Sequence, residues 1–196
     1  MAMPVSDGTL ASMTKRPATY ADLEALPPHH VGEILGGVLY AFPRPAIPHA
    51  RAASKLGATL DGPFDSGNDG PGGWLILDEP ELHLGDDVLV PDLAAWRRER
   101  MPDLPQAAFI TMAPDWVCEV LSPSTAGIDR AEKLPIYARE HVSHVWLVDP
   151  LAQTLEVLRL DRDAYRLVAT SRGDAKPRAE PFDALELPLA ALWATR

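Results

Sequence analysis

Cysteine is almost missing from this chain: of its 196 residues, only Cys118 is one. A lone thiol cannot close an internal disulfide, and paired-cysteine metal or redox frames are excluded with it. Set in an apolar stretch, it reads as a small buried hydrophobe. Long hydrophobic runs are missing too, none reaching the roughly 18 residues of a bilayer-spanning helix, so no membrane partner is expected. Residues 1–15 lack a basic segment followed by an apolar one and do not read as a secretory signal. The expectation is a cytoplasmic protein, with a disordered or cloning-derived lead over residues 1–17 and a single domain over residues 18–196.

Basic charge is scarce: 18 Lys and Arg stand against 28 Asp and Glu, a net charge of −10. That excludes a broad phosphate-binding face built on clustered cations. It leaves room for a metal-centred site, which gathers acids and lets a divalent ion invert the local sign. No Gly-rich phosphate loop or nucleophile elbow is present, and the histidines, adjacent His29 and His30 included, show no metal-ligand spacing.

What the chain has in plenty is proline, 20 residues, which favours short elements separated by fixed turns. Residues 19–26 read as a short helix capped by Thr19. Residues 31–35 lead to the turn pair Gly36-Gly37 and then to a strand-like segment, 38–42. Residues 49–60 have helical spacing, and residues 61–73, rich in Gly, Pro, Asp and Asn, read as a mobile loop. Residues 74–77 and 81–84 are strand signals that one bent strand would satisfy. Residues 88–96 form a nearly continuous apolar run, as in a strand covered on both faces. A second such strand spans 116–121, a helix follows over about 126–141, and a third buried strand covers 145–148. A strand–helix–strand passage of this kind makes a parallel pair. The hairpin of 154–160 with 164–170 comes next, then a polar loop and an apolar tail over 185–193 with a strand end and a short helix. The pattern is a mixed α/β (α+β) fold, a mixed β-sheet flanked by helices.

Two acids interrupt the buried strands. Asp92 follows Pro91 inside the run 88–96, and Glu119 breaks Trp116-Val117-Cys118-Glu119-Val120-Leu121. A carboxylate buried there is costly without a partner. Asp92 also fits a strand-end turn, Glu33 a solvated turn acid, and Asp149 a turn acid before Pro150; His49, heading a helix, fits a ligand but more readily a surface or capping position. Lys133 lies one helical turn after Asp129 and one before Tyr137, so the three share a face. It reads either as a solvated partner of Asp129 or as an amine reaching back to the acids. Two carboxylates and a lysine suit phosphodiester hydrolysis: carboxylates hold magnesium with several waters, and an amine steadies charge developing on phosphate.

Val90-Pro91-Asp92-Leu93, Glu119-Val120-Leu121-Ser122-Pro123-Ser124-Thr125, then Asp129, Lys133 and Tyr137, then Val145-Trp146-Leu147-Val148-Asp149-Pro150 occur in an order that resembles the Uma2 (DUF820) family. That family belongs to the PD-(D/E)xK, restriction-endonuclease-like superfamily. The likeness runs from about Tyr20 to Leu160 and takes in Glu33 and His49. It implies a restriction-endonuclease-like core and an endonuclease acting on nucleic acid, DNA rather than RNA, with Mg2+ or Mn2+. Asp92 and Glu119 would be metal ligands, Glu33 the acid on an early helix that completes the set, and Lys133 the catalytic amine. The chain departs from the simplest motif at Leu121, where that motif has its lysine, so Lys133 would serve as a migrated one. The contrasting reading is a catalytically inactive descendant that binds nucleic acid or protein. The resemblance and the apolar tail also suggest a homodimer.

Overall fold

The computed structural model describes residues 16–194. Most of the expected lead over residues 1–17 lies outside them. Helix α1 (Tyr20–Glu24) starts at Thr19, whose backbone N–H and hydroxyl both donate to the Asp22 carboxylate. Strands β1 (His30–Leu35) and β2 (Val38–Pro43) pair antiparallel around Gly36 and Gly37, with φ of 58° and 78°. Two left-handed residues in succession make the tight turn that glycine permits without strain.

Helix α2 (Ile47–Leu60) buries Ala52, Leu56, Gly57 and Leu60 along one side. It runs on into a wide π turn at Asp61–Asp65, which contains Pro63. A proline has no N–H for the helical ladder, and the chain widens around it. The expected mobile loop over 61–73 is therefore corrected in its first part. Phe64 sits 2% exposed in the core, an anchor that the surrounding Gly, Pro and Asp concealed.

Strands β3 (Trp74–Asp78) and β4 (Leu82–Leu84) belong to different sheets, so they are not one bent strand. The apolar run 88–96 divides as well. Strand β5 (Asp87–Leu89) pairs with β1 and β4, whereas β6 (Leu93–Arg97) pairs with β3 and β7 (Trp116–Val120). The break falls at Val90-Pro91-Asp92, where proline removes a ladder donor.

After β7 come α3 (Ala126–Ile128), a second π turn (Asp129–Lys133) and α4 (Leu134–Arg139). Pro135, just past that turn, again cannot donate to the helical ladder. Strand β8 (His144–Asp149) returns parallel to β7, and the hairpin of β9 (Thr154–Asp161) and β10 (Ala164–Arg172) closes the larger sheet. Asp149 is the turn acid expected, its Oδ1 accepting from the backbone N–H of Leu151 and Ala152. The tail makes no strand. It ends in α5 (Ala190–Trp193), and Leu187, Leu189 and Leu192 are buried in the core.

Two sheets result, with strand orders β2-β1-β5-β4 and β10-β9-β8-β7-β6-β3. The larger one is covered on both faces. Trp116, Cys118 and Val120 of β7 face a core shared with α2, α5 and Phe182. Val117 and Leu121 face a second core shared with α4 and the smaller sheet. Strand alternation thus points Glu119 into the second core, among apolar neighbours. No helix of the described residues is long and apolar enough to cross a membrane.

Phe182 ties the first core together, its ring centroid 4.7 Å from Phe64, 4.8 Å from Trp74 and 5.0 Å from Trp116. Truncating so central a ring leaves a cavity. Phe182→Ala should cost about 3–5 kcal/mol in urea unfolding, and a loss under 1 kcal/mol would contradict this packing.

Candidate active site

The two sheets part at Val90-Pro91-Asp92, and a cleft of about 350 Å³ opens there. Glu33, His49, Asp92, Glu119, Asp129 and Lys133 all border it. The acid and lysine positions singled out in the sequence therefore meet in one place. Each arrives by a different route. Asp92 stands at the end of the sheet break, Glu119 points in from β7, and Lys133 comes from the crossover helix between β7 and β8.

Glu33 corrects two expectations, since it lies on strand β1 and not on a helix, and it is 2% exposed, not solvated. Its Oε1 accepts from the Val90 N–H at 2.7 Å and lies 3.0 Å from Lys133 Nζ. The same ammonium lies 3.2 Å from Glu119 Oε2 and 3.4 Å from Asp129 Oδ1. Lys133 is itself 5% exposed, so its pairing with Asp129 is buried. Asp129 and Lys133 lie at the two ends of the π turn and Tyr137 follows in α4, with Lys133 and Tyr137 both reaching Glu119 of β7.

Glu119 also accepts from the Tyr137 hydroxyl through Oε1 at 2.6 Å. Asp92 accepts from the Val120 N–H through Oδ2 at 2.7 Å, and His49 Nε2 lies 3.3 Å from its Oδ1. His49 is thus a site residue that sequence reasoning set aside as surface or capping. Its place in the first turn of α2 held no local signal of a partner more than forty positions away. Tyr137 was seen to share a face with Lys133 but received no role.

The electrostatics follow from the count. Burial pushes the Glu119 carboxyl well above its ordinary 4.5; Lys133 opposes this, while Asp129, Asp92 and Glu33 reinforce it. Burial also raises Glu33 and Asp129 against the pull of the same ammonium. Burial alone would lower Lys133, but Glu119, Glu33 and Asp129 outweigh it and hold the ammonium well above 10.5. Burial lowers His49 as well, and the bond to Asp92 and the charge beside it reverse that into a net rise. One ammonium stands against three buried acids, and their like charge adds to burial in raising Glu119.

Among the described residues, no three His, Cys, Asp or Glu side chains converge as a ready metal cage. Glu33, Glu119 and Asp129 converge on the ammonium instead. Magnesium uses one or two carboxylates and keeps several waters, so the donor set of Asp92 and Glu119 fits it without a cage. A metal ligand must be deprotonated, so binding at Glu119 would compete with the proton that burial favours there.

The raised Glu119 carboxyl gives a pH dependence. Glu119 is raised above its unfolded value, so the folded state holds a proton that the unfolded state releases, and stability falls as pH rises from 4.5 through the folded value. Replacing the ammonium should exaggerate this. Lys133→Met is expected to cost about 3–5 kcal/mol at pH 8, where acids left behind are forced to ionise, and clearly less at pH 5. Equal costs at the two pH values in urea unfolding would contradict the arrangement.

The Uma2 family model, described as "Putative restriction endonuclease", matches residues 17–190. A solved structure from Anabaena variabilis ATCC 29413, described as "a putative nuclease belonging to DUF820", has a TM-score of 0.73 to this chain at 22% identity. The match covers 90% of this chain and 98% of the other, and it shows a shared fold. No curated protein matches the chain. The ordered motif from Glu33 to Asp149, the sheet with its parallel β7–β8 pair and a family match over residues 17–190 lead to one assignment: the chain belongs to the Uma2 family.

Proposed function

We propose that this protein is a metal-dependent endonuclease that hydrolyses phosphodiester bonds of nucleic acid, DNA in preference to RNA, with Mg2+ or Mn2+. The observation that carries the reading is the meeting of Asp92, Glu119 and the Lys133 amine on one cleft. Asp92 and Glu119 would hold the metal. Bound there, such an ion polarises the phosphoryl oxygen and makes water a nucleophile near neutral pH.

The chain's own groups do the rest. His49 and the Val120 N–H fix the Asp92 carboxylate, and the Tyr137 hydroxyl fixes Glu119. These contacts set the angle at which each oxygen faces the cleft, as outer partners do at metal sites. The Lys133 amine is held charged and bordering the cleft, where it can stabilise negative charge growing on the phosphate. Glu33 takes the part of positioning Lys133, because its Oε1 is engaged by that amine and by Val90. Leu121 in the usual lysine position is then no obstacle, since the amine is delivered from the helix.

Mg2+ or Mn2+ should raise the melting temperature of the wild-type protein, by about 2.7 kcal/mol of stability at a hundredfold excess over Kd. Asp92→Asn and Glu119→Gln should abolish both that rise and cleavage of oligonucleotides. Lys133→Met should keep metal binding and lose about 10²–10³ in cleavage rate. A wild-type protein that binds neither ion and cuts nothing would overturn the proposal. An unchanged biological effect in the Asp92 and Glu119 variants would favour the binding-module reading.

A further inference from the structure

We propose that the strand to be cut is unpaired at the cleavage point, with Phe42 as its base-stacking platform and Arg44 as its phosphate contact. The inference rests on the nuclease reading and adds to it the state of the substrate.

The cleft sets the first constraint. Glu119 and Lys133, at its floor, are 2% and 5% exposed, so a phosphate reaches them only by entering. The cavity of about 350 Å³ lies at the low end for small-molecule sites, roughly 300–1,000 Å³. That is room for a nucleotide unit, not for a double helix. Duplex DNA is stiff over about 50 nm and carries its phosphates on a rod, so a recessed floor meets it poorly. A single strand bends at every residue and can deliver one phosphate inward.

Charge gives the second constraint. Duplex binding usually rests on neutralising several phosphates with a tract of lysines and arginines. Here the net charge is −10. Lys133 is committed to three acids and His49 to Asp92, which leaves Arg44 as the remaining basic side chain among those lining the cleft, with Glu79 also in its lining. Affinity must then come largely from contacts that ignore charge, and stacking is the one every base can make.

Strand β2 supplies such a contact. It is the edge of the smaller sheet, and Val31, Glu33, Tyr40 and Phe42 lie on one of that sheet's faces, with Phe42 opposite Val31 and Tyr40 opposite Glu33. The Tyr40 and Phe42 rings are nearly parallel, at 7° with centroids 6.3 Å apart. Tyr40 packs on the second core, and Phe42, half-buried, forms part of the cleft wall. The inner ring thus backs the outer one. Arg44 follows between Pro43 and Pro45, whose fixed backbone limits how far it can fold away.

The test compares initial rates with Mn2+ on one labelled oligonucleotide, presented single-stranded, fully paired, and paired except for a central bubble. The wild-type protein should cut the single strand and the bubble at least tenfold faster than the duplex. Phe42→Leu keeps apolar volume but loses the flat ring. It should raise KM on the single strand roughly ten- to a hundredfold, with Phe42→Trp close to wild type. The Mn2+-induced rise in melting temperature should persist in both variants, which shows that the fold and metal site are intact. Arg44→Ala should weaken single-strand binding and reduce its salt dependence. Equal or faster cutting of the duplex would overturn the inference while leaving the nuclease reading standing. So would a Phe42→Leu variant with unchanged KM on the single strand. Failure to cut any of the three would overturn both.

Discussion

The Lys133 ammonium lies 3.0 Å from Glu33, 3.2 Å from Glu119 and 3.4 Å from Asp129, and it is buried with all three. Glu33 belongs to the smaller sheet, Glu119 to the larger one and Asp129 to the helix that crosses between β7 and β8. A single buried charge therefore fixes how three parts of the chain sit against one another. Taking such charges out of water is expensive and is repaid only when the geometry is good and the remaining lone pairs are satisfied. The Val90 N–H on Glu33 and the Tyr137 hydroxyl on Glu119 meet that condition.

The rest of the architecture follows from bringing these groups together. The chain must leave one sheet and join another within the three residues Val90-Pro91-Asp92, and this break sets Asp92 at the mouth of the cleft. The crossover helix, which includes a π turn before Pro135, must present Asp129, Lys133 and Tyr137 on one side. What results is a centre with three buried acids around one amine, with Asp92 and His49 beside it on the same cleft.

Much of this was legible in the sequence, for reasons that differ by residue. Glu119 stood out because an acid among Trp, Val, Cys and Leu must have a partner. Asp92 stood out because Pro91-Asp92 interrupts an otherwise apolar run. The parallel β7–β8 pair followed from strand, helix and strand in succession. Lys133 was ambiguous, since a lysine four residues after an aspartate looks the same whether solvated or buried. Only the approach of β7 decides it. His49 fitted a surface, capping or ligand place by its position, because its partner Asp92 lies more than forty residues on and only the fold joins them. The division of residues 88–96 between two sheets was hidden because a run apolar throughout has no period to break. The helical extension at residues 61–65 was hidden because one phenylalanine among turn-formers outweighed the composition around it.

Asp92 and Glu119 are the proposed ligands of one divalent ion, and burial raises the Glu119 carboxyl there. Calorimetric titration of Mn2+ near neutral pH, repeated in buffers of different ionisation enthalpy, measures binding and proton release together. One ion bound per chain with protons released, and no binding in Asp92→Asn, is the expected result. Absence of binding in the wild-type protein, or identical binding in that variant, would contradict it.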